Sequence, residues 1–375
     1  MSSELLYPIM PMYLKSIGFS VVIIGLLEGV AEASAGLSKG YFGKWSDESG
    51  KRVPFVRLGY LLSAVSKPLM VAFIFPLWVF GMRTLDRLGK GIRTGARDAI
   101  LSGESSKENK GEVFGFHKSL DTIGAVIGPS IGLIYLYYNP NAYKTLFIAA
   151  LIPGILAVLI SFYLKDKKTE HVKPKTHSFI GFLSYWKTST DSYKNLLKGL
   201  LLFTLINSSD VFLLLKAKSV GLNDTWVIGL YIFYNLVYAI AAYPLGILAD
   251  KIGLKKMYLT GIILFATVYI GMGCFVEELA FVFLFLIYGL FAAASEGISK
   301  AWISNNCEEE ETGTAIGTYS ALQSIFSLFA SLIAGIIWMQ LGENVLFIAA
   351  GSASLFVFIY LLRCKFEDKK IVTTT

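Results

Sequence analysis

The chain has 375 residues, of which 54% are hydrophobic and only 16% charged, with a net charge of +7. Together with a mean hydropathy of +0.59, this excludes a soluble globular domain and points to a polytopic all-α membrane protein. The surplus positive charge lies in loops, where it sets topology and implies no nucleic acid; the three cysteines and three histidines form neither a disulfide framework nor a metal-ligand pattern.

The first apolar run, residues 5–14, is shorter than the roughly 20 residues a span needs. The next, 19–45, is long enough but carries Glu28, Glu32 and Lys39. On a helix these share one stripe, flanked by Gly25, Gly29, Gly36 and Gly40, whose spacing lets helices approach closely. A third span covers 53–75, with Arg57 and Lys67. A fourth, 77–101, is the most unusual. Arg83, Asp86, Arg87, Lys90, Arg93, Arg97 and Asp98 fall within about 140° of its circumference. With Pro76 at one membrane edge, Arg83 lies roughly 10 Å and Lys90 roughly 20 Å into a core of about 30 Å. Charges at that depth line a polar cavity or bind a partner, so transport and a structural salt-bridge network both stay open here.

A fifth span runs over 111–138, with His117, Lys118 and Asp121 in its first half, and a sixth over 142–164. Residues 165–198 hold eight lysines and no long apolar run, which marks a linker. Six more spans follow at 195–215, 226–248, 257–276, 279–304, 313–340 and 344–362, and a polar tail ends the chain. Lysine and arginine collect in the 44–52 loop, the linker, the 251–256 loop and the tail. The positive-inside rule therefore places linker and C-terminus in the cytoplasm.

Two internal matches relate the halves. The segment from Gly43 through Asp47 and Gly50 to Arg52 repeats as Gly246 through Asp250 and Gly253 to Lys256, and Ser2-Ser3-Glu4 repeats as Ser208-Ser209-Asp210. The second match implies that the first helix begins roughly a dozen residues before Met1, so its N-terminal part is expected to be truncated.

These residues resemble the major facilitator superfamily over essentially the whole chain. The copy at Gly246–Lys256 fits the family's Gly-x-x-x-Asp-[Arg/Lys]-x-Gly-[Arg/Lys]-[Arg/Lys] loop, and the copy at Gly43–Arg52 departs from it at Glu48. In this reading the glycine permits a tight turn and the aspartate caps a helix. Arg83 and Gly89 match a fourth-helix motif, Arg-x-x-Gln-Gly-x-Gly, whose arginine the family implicates in proton coupling. Gly115, Gly124, Gly128, Pro129 and Gly132 resemble the antiporter motif of the fifth helix, with Leu133 in place of the last glycine.

The resemblance implies two six-helix bundles related by a pseudo-twofold axis. They would be residues 1–164, with an incomplete first helix, and 196–363, joined by a cytoplasmic basic linker at 165–195 and followed by a cytoplasmic tail at 364–375. It implies a proton-coupled antiporter of the cell membrane, acting as a monomer without cofactor, that exports a small drug or metabolite by alternating access. The cavity would include Arg83, Arg87, Lys90, Asn207, Asp210, Glu296 and Lys300, with Glu296 and Lys300 able to pair at i,i+4. Their charge favours an anionic or zwitterionic solute. Asp86, Asp121, Glu28, Glu32 and Glu4 are the candidates for carrying a proton. An organic-anion uniporter or symporter working as an importer, and a non-transporting scaffold or receptor, remain alternatives. No enzyme active site is visible.

Overall fold

The computed structural model describes residues 2–7, 9–166 and 180–364. The expected linker falls partly outside them, at 167–179, and all but the first residue of the expected tail lies outside as well.

The first half comprises α1 (Ser2–Leu6), α2 (Ile9–Ser16), α3 (Val21–Glu48), α4 (Val53–Met70), α5 (Pro76–Gly103), α6 (Lys110–Tyr138), α7 (Tyr143–Ala149) and α8 (Leu151–Ser161). A 3₁₀ turn, Gly181–Ser184, and α9 (Tyr185–Thr188) lead to the second half. That half comprises α10 (Asp191–Ile206), α11 (Val211–Ser219), α12 (Asp224–Ile252), α13 (Leu254–Cys274), α14 (Glu278–Asn305), α15 (Thr312–Leu341) and α16 (Glu343–Arg363). Among the described residues, eight helical segments are long and apolar enough to cross a membrane. Helices α3, α4 and α5, of 28, 18 and 28 residues, run alongside them and carry charged residues along their length.

Several helices are interrupted where continuous spans were expected. The first pass breaks between α1 and α2. The sixth is divided at Ala150. The seventh breaks at Asn207–Asp210, where α10 stops and α11 begins. The third ends at Met70, two residues past an internal Pro68, and not at residue 75. Such breaks free backbone groups inside the protein and are tolerated where they line a cavity or are buried by neighbours.

The halves are built differently. The second half has a continuous apolar core rich in aromatics, with Phe265 stacked on Tyr269 at 3.9 Å between ring centroids. The smaller apolar core of the first half lies around α1, α2 and α7, and the α3–α4–α5 contact is made largely by charged and small residues. Within each half the extensive contacts are α3–α5 and α4–α5, and α13–α16, α12–α14 and α13–α14. Between halves they are α6–α12 and α3–α15.

Candidate functional site

The α6–α12 and α3–α15 contacts form one seam with twofold logic. Asp47, at the end of α3, accepts hydrogen bonds from the backbone N–H groups of Gly313 (3.3 Å) and Thr314 (2.6 Å) and from the Thr314 hydroxyl (2.9 Å). Asp250, at the end of α12, accepts from the backbone N–H groups of Gly111 (2.7 Å) and Glu112 (2.6 Å). Each aspartate therefore caps the first turn of a helix in the opposite half, where unsatisfied N–H groups and the helix dipole favour an anion. Arg52 adds a bond to Asp47 at 3.1 Å and another to the Glu309 carbonyl at 2.9 Å, again across the seam.

The first glycine of each motif copy does something other than turn the chain. Gly43 and Gly246 sit inside α3 and α12. A Cβ on Gly313 would lie 2.9 Å from the Gly43 carbonyl, and one on Gly111 would lie 2.7 Å from the Gly246 carbonyl. Backbone thus meets backbone at both contacts, as in glycine-mediated membrane packing. The turns themselves are made by Gly50 and Gly253, whose φ values of 62° and 102° suit glycine.

Helix α6 divides its glycines between two partners. Gly115 faces the Ala242 carbonyl and Gly246 of the other half, whereas a Cβ on Gly128 would lie 2.8 Å from the Leu5 backbone nitrogen and 3.2 Å from the carbonyl carbon of Glu4. Gly132 packs on Leu5 and Ile9, Gly124 is buried, and the helix continues through Pro129.

The charged stripe of α5 is largely neutralised by its own half. Glu28 takes a two-pronged contact from Arg83 at 2.7 and 2.8 Å. Arg87 pairs with Glu32 at 3.1 Å. Asp86 lies deep between α4 and α5 and receives Ser63 (2.6 Å), Lys67 (3.0 Å) and Arg83 (3.3 Å). Lys67 is 2% exposed; its spacing of four from Ser63 was a signal that sequence reading did not use. By contrast, the Lys39 and Lys90 ammonium groups have no carboxylate at ion-pairing distance among the described residues. Lys39 feels the charges of Lys90, Glu32, Lys300 and Asp98, and Lys90 those of Arg87, Glu32 and Glu4.

Glu296 and Lys300, expected to pair with each other, do not. Each finds a closer partner on the first half. Lys118 reaches Glu296 at 2.8 Å and Asp121 at 3.5 Å, and Lys300 reaches Asp98 at 2.6 Å while Arg97 holds the other oxygen of Asp98 at 2.9 Å. Asp98 is fully buried. The Glu32, Asp121 and Glu296 side chains are about half exposed, at 52, 55 and 53%. Mid-helix carboxylates with that much access face a polar space between the halves.

At the seventh-pass break, Asp210 accepts from Tyr234 (2.7 Å) and Tyr288 (2.6 Å). The Asn207 side-chain oxygen, Oδ1, is buried without a partner. Glu4 lies on α1 where Gly128 lets that helix close in on α6. Tyr7, 55% exposed, stands at the first-pass break and feels both Arg87 and Asp210. One further element was not foreseen. Phe182, 2% exposed, lays its ring on Gly40 of α3 while its carbonyl accepts from Thr318 of α15 at 3.3 Å, so the segment joining the halves also plugs their seam.

A family model described as Major Facilitator Superfamily matches residues 1–233 and 217–373. An uncharacterized MFS-type transporter of Methanocaldococcus jannaschii is 34% identical over 369 residues, covering 95% of this chain and 91% of its own. A multi-drug resistance efflux pump PmrA homolog of Lactococcus lactis is 25% identical over 285 residues, 72% of this chain and 68% of its own. The crystal structure of the human organic anion transporter MFSD10 has a TM-score of 0.76 at 16% identity, covering 96% of this chain and 95% of that one.

Proposed function

We propose that this chain, which belongs to the Major Facilitator Superfamily, exports a small organic solute from the cell in exchange for protons by alternating access. The observation that carries the reading is the paired, capped seam around a charged interior. Asp47 on the start of α15 and Asp250 on the start of α6 close one end of the space lined by Lys39, Lys90, Glu32, Asp121 and Glu296. A contact made of two helix caps and glycine backbone is broken by moving the halves apart and reformed without repacking a core. Opening that end while closing the other carries a solute across.

On this reading the sealed end faces the cytoplasm of a plasma-membrane protein, in keeping with the basic loops that follow α3 and α12. Arg83, Arg87 and Lys90 with Lys300 supply the positive wall of the cavity, and Asn207, Asp210 and Glu296 the opposing one. Proton exchange falls to Glu32 and Asp121, the two first-half members of the three carboxylates that are both paired and open to the cleft, with Glu28 and Glu4 behind them. Asp86, enclosed by Lys67, Ser63 and Arg83, holds Arg83 in place and titrates only if that enclosure opens. Coupling follows if protons and solute each favour a different facing state. The relative named as an efflux pump supports export.

The test is proton movement in proteoliposomes carrying an internal pH dye, with small organic anions, zwitterions and cationic drugs presented in turn. Solute-driven proton flux that is lost in Asp121→Asn or Glu32→Gln supports the exchange. Saturable solute uptake with no proton movement refutes it in favour of an organic-anion uniporter working as an importer.

A further inference from the structure

Once the ion pairs are drawn, both halves keep charges without an ion partner among the described residues: two lysines on the first half, with Glu4 of α1 in electrostatic reach of Lys90, and a carboxylate on the second. Lys39 and Lys90 project from α3 and α5 of the first half, and neither is neutralised by a carboxylate at ion-pairing distance among the described residues. On the second half, Asp210 has no cation at that distance among the described residues. Its two oxygens are held by the hydroxyls of Tyr234 and Tyr288.

The surroundings of Asp210 have a specific chemistry. Tyr234 meets Tyr231 edge to face at 5.4 Å and Tyr288 at 5.3 Å, so the carboxylate sits at the rim of an aromatic group. A partly buried carboxylate beside tyrosine rings is what recognises an organic ammonium, through charge and ring quadrupole together. The partnerless side-chain oxygen of Asn207 (Oδ1), three residues away, is an acceptor for an N–H donor. Tyr7 spans the gap: it is exposed, and it feels Arg87 from one wall and Asp210 from the other.

We propose that the cleft takes a zwitterion, an organic solute whose anionic group is received by Lys39 and Lys90 and whose ammonium is received by Asp210 with Asn207. The inference rests on the transporter reading and narrows its substrate class. A solute with only an anionic group leaves Asp210 without a counter-charge, and one with only an ammonium leaves the two lysines repelling each other.

The experiment uses the purified full chain and its thermal unfolding midpoint. The probes are the ω-amino acids from 4-aminobutyrate to 8-aminooctanoate, with the n-alkylamines and n-alkanoates of the same lengths. The expected result is that at least one amino acid raises the midpoint at a concentration about tenfold or more below that of the matching amine or acid. Asp210→Asn then erases the advantage over the acid, and Lys39→Gln with Lys90→Gln erases the advantage over the amine. Should Asp210→Asn not fold, Tyr288→Phe, which removes one of the two hydroxyls orienting the carboxylate, is expected to reduce the same advantage. An acid as effective as the amino acid and indifferent to Asp210→Asn overturns the zwitterion and leaves an anion transporter standing. An amine as effective as the amino acid and indifferent to the lysine changes overturns both. No stabilisation by any of the amino acids overturns the proposal as well.

Discussion

Replacing Asp250 by alanine removes the cap that joins α12 to the start of α6. The carboxylate accepts two backbone N–H groups across the seam, at 2.7 and 2.6 Å. Hydrogen bonds to a charged acceptor contribute about 1.5–3 kcal/mol each, but here water can replace them once the halves part. Loss of a helix cap costs about 0.5–2 kcal/mol. A net change of about 1–3 kcal/mol in favour of the parted state follows, which is about a 5- to 150-fold shift in the equilibrium between states. Spin labels at Glu108 and Lys251, exposed on opposite halves beside this contact, read the change as a distance distribution. The expected outcome is growth of a longer-distance population in Asp250→Ala, with Asp250→Asn between it and the unaltered chain. An unchanged distribution refutes the idea that the cap holds the seam.

Three further outcomes follow from the same geometry. Gly111→Ala places a Cβ 2.6 Å from the Asp250 carboxylate and 2.7 Å from the Gly246 carbonyl, so the same label pair should lengthen at least as much as in Asp250→Ala; no lengthening means that the close backbone approach is unimportant. Lys67→Met leaves Asp86 buried with one cation fewer and should lower stability by about 3–5 kcal/mol. Asp86→Asn combined with Lys67→Met should recover part of that loss, both read by thermal unfolding in detergent. Phe182→Gly strips the plug from Gly40 and Thr318 while leaving each bundle's own core intact. It should shift the label distances toward opening with little change in the unfolding midpoint, and a large fall in midpoint with fixed distances would contradict the plug.

Much of the fold was legible because its signals are local. Apolar runs near the length of a bilayer, glycine spacing and the repeated Gly–Asp–Gly loops fixed most of the helix positions and the pairing of the halves. The breaks were less legible. The polar run Asn207–Asp210 follows Ile206 where α10 stops, but such a run alone does not fix a break, because a helix in a membrane ends where its backbone can be satisfied by neighbours, and those neighbours are distant in sequence. The site was read unevenly for a related reason. Spacing along α5 put Arg83, Asp86 and Arg87 on one stripe, and spacing along α3 did the same for Glu28 and Glu32. The α3–α5 contact then brings Glu28 to Arg83 and Glu32 to Arg87.

Spacing misled at Glu296 and Lys300, where i,i+4 proximity favours a pair of modest strength. Lys118 and Asp98 of the opposite half offer shorter contacts across the closed seam. A contact made across the seam has no signature on a single helix. The turn reading of the motif glycines holds for Gly50 and Gly253 but not for Gly43 and Gly246, for a similar reason. Gly43 and Gly246 show their use only when α15 and α6 are laid across them.

The most direct test of the account is solute accumulation in proteoliposomes under an imposed pH gradient with the membrane potential clamped, using whichever solute stabilises the purified chain. Exchange predicts that the solute moves uphill, against the direction of proton flow, until the pH gradient is spent, and that Asp121→Asn or Glu32→Gln reduces this to downhill equilibration. A solute that only equilibrates in the unaltered chain, or that accumulates in the same direction as the protons, contradicts it.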